Sequence, residues 1–126
     1  MKTRWKKVYV EVYGFDAIFT VGNAKKIYKK ILKKGYTISD LHKEELLGGY
    51  EAVTIPLLFK GQNDGFLVWL PEKPKKKAQL ATLAHEICHQ TSFFWKEIGG
   101  TLNLENDEPY CYFLEYLMHE ALDFYR

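Results

Sequence analysis

The segment from residue 75 to residue 98 constrains the fold more than any other, because its pattern predicts one long helix that is apolar over much of its circumference. A helix of this kind must be mostly buried. It nevertheless carries His85, Glu86 and His89 within its apolar part, and their nitrogen and oxygen atoms need partners once they leave water. The fold must therefore bury this helix and still provide for one polar patch on it.

The five residues from His85 to His89 have the spacing H-E-x-x-H. Residues four apart lie on the same face of a helix, so both imidazoles can point at one metal ion. Glu86 lies further around the helix, where its carboxylate can reach a water on that ion without binding the ion. We predict that His85 and His89 hold Zn²⁺ and that Glu86 is the general base on a zinc-bound water. The alternative is a pair of core histidines that are hydrogen-bonded to nearby carboxylates.

A catalytic zinc needs a third protein ligand. Residues 107–124 predict a second helix, and Glu108 lies at its start, after the helix N-terminal signature Asn106-Asp107-Glu108-Pro109. Glu108 is the third ligand that we favour, although a carboxylate at a helix N-terminus is also stabilised by the helix dipole. Three further residues share its helix face and remain alternatives, namely Cys111, Glu115 and His119.

Peptide hydrolysis would also need a donor for the oxyanion and a surface for the substrate. We assign Tyr112 as the donor, with Tyr110, Tyr116 and His119 as alternatives that the sequence does not separate. Residues 50–71 predict a hairpin whose second strand reads GFLVWL. If that strand lies at the sheet edge, Phe66 and Val68 would contact an extended peptide by strand addition; the alternative is a core strand.

The remaining segments predict a single α+β domain over residues 1–126 with a small mixed sheet. The segment KGQNDG, residues 60–65, predicts the turn of the hairpin, with Asn63-Asp64-Gly65 as a strong turn signal, and Pro56 indicates an edge strand or a bulge. His42 lies among charged residues, and we assign it no role. The other expected elements are two short strands or one bent strand in residues 6–21, a lysine-rich helix over residues 24–34, and a loop with one helical turn over residues 36–48.

Charge is unevenly distributed along the chain. Residues 1–77 carry 16 Lys and Arg against 8 Asp and Glu, whereas residues 78–126 carry 2 against 8. The basic half could face nucleic acid, but no aromatic stacking pattern accompanies its lysines, so this function ranks last. No apolar run is long enough to cross a membrane, and no signal peptide is recognised. We expect a cytoplasmic protein without a membrane partner, in which Cys88 and Cys111 are buried thiols rather than a disulfide.

The hairpin, the segment TLAHEICH and the helix that opens with NDEP together resemble a zincin metallopeptidase of the gluzincin type. The resemblance covers residues 50–120. It implies a minimal zincin-like fold, in which a small twisted mixed sheet packs on an active-site helix and a C-terminal helix, with an edge strand that binds substrate. Carried over, the ligands are His85, His89 and Glu108, and the catalyst is Glu86.

The compact chain is also similar to small HExxH proteins of phages and mobile elements and to the ImmA/IrrE peptidase group. That group has small residues in its later helix where this chain has Cys111 and Tyr112. The resemblance implies a zinc-dependent metallopeptidase that hydrolyses an intracellular protein or peptide substrate, regulatory or phage-related. The alternatives are a non-catalytic, metal-stabilised protein-binding module and, ranked below it, a basic nucleic-acid-binding domain.

Overall fold

The structure is a computed structural model that describes residues 2–126. The described chain forms a mixed α+β fold with four strands and four helices, which confirms the predicted fold class at this level. The elements are β1 (Arg4–Val10), β2 (Phe15–Val21), α1 (Ala24–Lys33), α2 (Asp40–Leu47), β3 (Val53–Phe59), β4 (Gln62–Leu70), α3 (Lys77–Glu97) and α4 (Glu108–Tyr125). The single helical turn expected after residue 39 is the longer helix α2, which Ser39 caps.

The four strands form one mixed sheet in the order β1-β2-β4-β3. The sequence neighbours β1 and β2 pair antiparallel, as do β3 and β4, whereas β2 and β4 are parallel. The parallel pairing needs a crossover, which α1, α2 and β3 provide. Strand β4 is therefore an interior strand with a partner on each side, and β3 lies at the edge of the sheet.

Helices cover both faces of the sheet. Alternation along β4 directs Phe66 and Val68 to the core shared with α3 and α4, and Leu67 and Trp69 to the core shared with α1 and α2. A strand buried on both faces has a nearly continuous apolar sequence, as GFLVWL has. The amphipathic helix α1 contributes Ile27 to the second core, while its lysines remain at the surface.

The hairpin turn lies at Lys60 and Gly61, within the predicted segment 60–65 but before its strong turn signal Asn63-Asp64-Gly65. Both turn residues have positive φ, 52° and 80°, as a tight two-residue hairpin requires. Asn63 and Gly65 belong to β4 instead. Glycine at position 65 lets the backbones of β4 and β2 approach closely. A Cβ atom at this position would lie 3.1 Å from the carbonyl oxygen of Asp16 on the neighbouring strand.

Strand β3 carries the irregularity that Pro56 predicts. The strand lies at the sheet edge, and its register with β4 shifts between Leu57 and Leu58. Beyond this shift the edge is covered, because Thr37 and Leu58 exchange two backbone hydrogen bonds of 2.8 Å. The edge segment near the start of β3 lies beside α3.

Helix α3 runs beneath the sheet and α4 packs back against it. The buried face of α3 includes Leu83, Ile87 and Phe94, and the buried amide of Gln90 donates to the carbonyl oxygen of Phe66 at 2.8 Å. Gly99, with a φ of 80°, ends the helix, as the glycine pair predicts. Within residues 2–126, none of the helices combines the length and apolar character of a membrane span.

Candidate metal and catalytic site

His85 and His89 lie on adjacent turns of α3, and their side chains converge. The two Nε2 atoms are 3.1 Å apart. The ring centroids are 4.7 Å apart, and the ring planes are nearly perpendicular, at 80°. Both side chains are exposed, so the two residues are not core histidines. The helix therefore presents two imidazole nitrogens to one point at the surface.

Glu86 is turned away from solvent towards the sheet edge, and only 7% of its surface is exposed. The Oγ1 atom of Thr54, on β3, lies 2.7 Å from its Oε1 atom and 3.0 Å from its backbone carbonyl oxygen. The hydroxyl therefore donates to Glu86 and fixes the orientation of the carboxylate. Deeper in the same core, burial raises the pKa of Tyr125, and the charge of Glu86 adds to this effect. The Tyr125 hydroxyl consequently remains protonated, and it donates to the carbonyl oxygen of Thr20 at 2.8 Å.

A cavity of about 260 Å³ opens beside Glu86 and His89. Thr54 lies on the same wall, at the edge of the sheet. The opposite wall comes from α2 and the segment after it, and it carries His42, Glu45 and Tyr50.

His42 is a site residue that the sequence analysis missed. The tertiary fold alone places it beside Glu86 and His89, since nothing in the sequence relates α2 to α3. The one local signal is that Ser39, three residues earlier, is a helix-capping residue that can also orient an imidazole.

The structure does not add Glu108 to the histidine pair. Glu108 is the first residue of α4 and is exposed. Among residues 2–126, no group of three or more His, Cys, Asp or Glu side chains is placed so that it could hold a metal ion. The two histidines are thus brought together, and the third ligand stays a prediction.

The three alternative ligands line one groove of α4. Cys111, Glu115 and His119 face Ala84 of α3, the residue that precedes His85. His119 is also near Asp123, with Nδ1 and Oδ2 4.0 Å apart. Partial desolvation and the nearby carboxylates of Asp107 and Glu108 raise the pKa of the Cys111 thiol. Cys111 and Cys88 are both free and exposed, so the prediction that they are buried thiols is wrong.

Tyr112 lies away from the Glu86 cavity. Its side chain is 66% exposed, and it lines a separate cavity between α4 and the turn that joins β1 to β2. That cavity and the Glu86 cavity have no lining residue in common. Of the alternative donors, Tyr116 lines the Tyr112 cavity, and the buried Tyr110 hydroxyl lies 2.7 Å from Ser92 Oγ, so it faces α3.

The substrate contacts predicted for Phe66 and Val68 need correction. The two side chains are 1% and 0% exposed, in the interior strand β4. The Phe66 ring packs against those of Phe93 and Phe94, with centroids 5.8 Å and 4.8 Å away. Both are core residues because α3 and α4 cover this face of the sheet. The strand with a free edge beside Glu86 is β3.

Comparisons of the chain with protein-family models, with curated proteins and with solved structures found no match. A function can therefore be inferred only from the site itself. The site consists of the converging pair His85 and His89, the oriented carboxylate of Glu86, and the cavity beside them.

Proposed function

We propose that this protein is a zinc-dependent metallopeptidase that hydrolyses a protein or peptide substrate. The observation that carries the proposal is the 3.1 Å separation of the His85 and His89 Nε2 atoms. Two nitrogen ligands of a tetrahedral zinc, each bonded at about 2.0–2.1 Å, lie about 3.3 Å apart. The observed separation is close to this value and is also a hydrogen-bonding distance between the two rings, so a bound ion would replace that hydrogen bond.

The third ligand in this proposal is Glu108. The loop between α3 and α4 contains no regular element over residues 98–107, and Glu108 is exposed at its end. A side chain in this position can be drawn towards the histidines with less rearrangement than one fixed in the core. Cys111, Glu115 and His119 remain the alternatives.

A bound Zn²⁺ supplies Lewis acidity, which polarises a peptide carbonyl and lowers the pKa of water. The protein supplies the proton transfer. Glu86 accepts the proton of the attacking water and returns it to the leaving amine. Its Oε1 atom accepts a hydrogen bond from Thr54, which leaves Oε2 as the atom with room for the proton.

The substrate in this proposal lies along β3. Strand addition pairs an extended peptide with the free edge at the start of this strand, and residues 52–54 line the cavity that holds Glu86. Pro56 and the backbone bonds between Thr37 and Leu58 limit pairing further along. The peptide is therefore expected to pair over a short segment next to Glu86.

The decisive experiment measures metal content and hydrolysis together. Protein purified without chelator should contain about one zinc per chain. Glu86→Gln should retain that zinc and lose hydrolysis, whereas His85→Ala and His89→Ala should lose the zinc. A wild-type chain that cannot be loaded by excess Zn²⁺ would contradict the proposal.

A second candidate is a metal-stabilised binding module without catalysis. The hydrogen bond between Thr54 and Glu86 favours this candidate, because it joins α3 to the sheet edge and would stabilise the fold without any catalysis. In this candidate, Glu86→Gln retains the zinc and also retains the biological activity of the protein. The phenotype of this one variant therefore separates the two functions.

A further inference from the structure

His42 is the imidazole outside α3 that lines the Glu86 cavity. It is half-buried, although most residues around it on α2 are exposed. Helix α2 places it on the wall that faces Thr54, Glu86 and His89. The cavity that these residues line has a volume of about 260 Å³. A group bound beside Glu86 would therefore lie between the two walls.

Ser39 fixes the orientation of the His42 ring. Its Oγ atom accepts the backbone N–H of His42 at 3.2 Å and lies 2.7 Å from the ring atom Nδ1. With the oxygen occupied as an acceptor, the serine hydroxyl hydrogen is free to donate to Nδ1. The neutral ring then carries its hydrogen on Nε2. A protonated ring carries one there as well, so Nε2 is a donor in both states.

We propose that His42 is the hydrogen-bond donor for the carbonyl oxygen of the substrate as that oxygen gains negative charge. The inference deepens the proposed peptidase function and rests on it. Hydrolysis needs such a donor on the far side of the carbonyl from Glu86, and preorganised donors of this kind act most strongly in sites with little water. His42 lines the same cavity as Glu86 and carries an Nε2–H donor, so it is the residue that we assign to this need.

Tyr112 does not fit the role of donor to the substrate carbonyl oxygen. Its hydroxyl belongs to a different cavity, next to the β1–β2 turn. Tyr50 is a weaker rival within the Glu86 cavity, because 59% of its surface is exposed. His42 combines a place on the wall with a fixed ring.

The test uses zinc-loaded, full-length protein and two readouts. The first is binding of N-phosphoryl-Leu-Phe, whose charged phosphoryl oxygens mimic the oxyanion. His42→Ala should weaken binding about ten- to a hundredfold with unchanged zinc content, and His42→Gln, which keeps a donor, should recover part of the loss. The second is hydrolysis of casein, for which His42→Ala should lower kcat about a hundred- to a thousandfold and leave KM nearly unchanged.

Lys43→Ala is the matched control, because Lys43 neighbours His42 on α2 but faces the Tyr28 ring, 5.2 Å from its centroid. This variant should bind the probe like the wild type. A probe affinity of His42→Ala within threefold of wild type overturns the His42 proposal alone, as does a loss confined to Tyr112→Phe or Tyr50→Phe. A wild-type protein that loads zinc but neither binds the probe nor hydrolyses casein overturns the peptidase function and the His42 role together.

Discussion

The hydroxyl of Thr54 lies 2.7 Å from the Oε1 atom of Glu86, and this contact connects the edge strand β3 to the helix that carries both histidines. A buried carboxylate without a donor would be costly, so the threonine contributes to folding as well as to orientation. The two residues are 32 positions apart in the sequence, and the hairpin and the first turns of α3 lie between them. The position of the proposed general base therefore depends on how the sheet edge meets α3.

Thr54→Val tests this connection with little change of side-chain volume. We expect the free energy of unfolding to fall by about 1–3 kcal/mol, because the Glu86 carboxylate loses its donor. Hydrolysis should fall about ten- to a hundredfold, the usual effect of removing a partner that orients a site residue. Chemical denaturation and casein hydrolysis measure the two effects.

Thr91→Val is the control for Thr54→Val. Thr91 is also buried, and its hydroxyl donates within α3, to the carbonyl oxygen of Ile87 at 2.7 Å. This variant should cost some stability without a specific loss of hydrolysis. Equal losses of hydrolysis in both variants would mean that Thr54 does not act through Glu86.

The third ligand is tested by three single substitutions in α4. Glu108→Gln should weaken zinc binding more than either Glu115→Gln or Cys111→Ser, because a carboxylate ligand is removed. Competition with a chromophoric chelator measures the affinities. Co²⁺ substitution gives an independent readout, since a thiolate ligand produces an intense charge-transfer band that an N/O site lacks. Such a band, lost in Cys111→Ser, would make Cys111 the ligand instead.

Asp16 should make the stability of the protein fall as pH rises above the acidic range. Burial raises the pKa of this carboxyl above its ordinary value of 3.8, and the charge of Asp64 adds to the effect, while Lys7 opposes it. The folded state then binds the proton more tightly than the unfolded chain. The stabilisation is present below the ordinary value and is lost as pH rises through the folded-state pKa.

Asp16→Asn should therefore be more stable than wild type at pH 7, and the difference should shrink towards pH 3. Thermal unfolding at several pH values measures this. The exposed Glu11, changed to Gln, is the matched control, with no comparable pH-dependent gain expected. A destabilised Asp16→Asn at pH 7 would show that the ionised carboxylate is satisfied in the folded protein.

The lysines of α1 separate the peptidase from a nucleic-acid-binding function. Successive turns of this helix carry Lys25, Lys29 and Lys33. Two other lysines, Lys30 and Lys34, lie near the Trp5 ring. Changing the first three to Gln should leave zinc content and hydrolysis unchanged. Tight binding of wild type to duplex DNA, abolished by the triple variant and steeply dependent on salt, would favour the other function.

Local patterns in the sequence predicted the elements well. The apolar periodicity and glycine stop of α3, the cap and lysine face of α1, and the glycine-proline signals around the hairpin are all short-range features. The position of the turn within residues 60–65 was not predicted. Asn63-Asp64-Gly65 is a strong turn signal, but its glycine is needed for the close approach of Asp16 on the neighbouring strand. Local chemistry and strand packing favour the same residue type here for different reasons.

Contacts between distant segments limited prediction of the site. The convergence of His85 and His89 follows from helical spacing alone. The Thr54–Glu86 bond and the position of His42 depend on β3 being the edge strand, and this follows from the parallel pairing of β2 with β4, two strands separated by α1, α2 and β3. For the same reason Phe66 and Val68 were assigned to a substrate-binding edge, although the continuous apolar run GFLVWL is typical of a strand buried on both faces.

The irregular edge of β3 also bears on how the protein behaves at high concentration. A long, flat and unpaired strand would let copies of the chain stack edge to edge into aggregates. Here Pro56 removes a backbone donor, the register shift bends the strand, and Thr37 covers its end. The short edge that remains offers little backbone from which a fibril could grow.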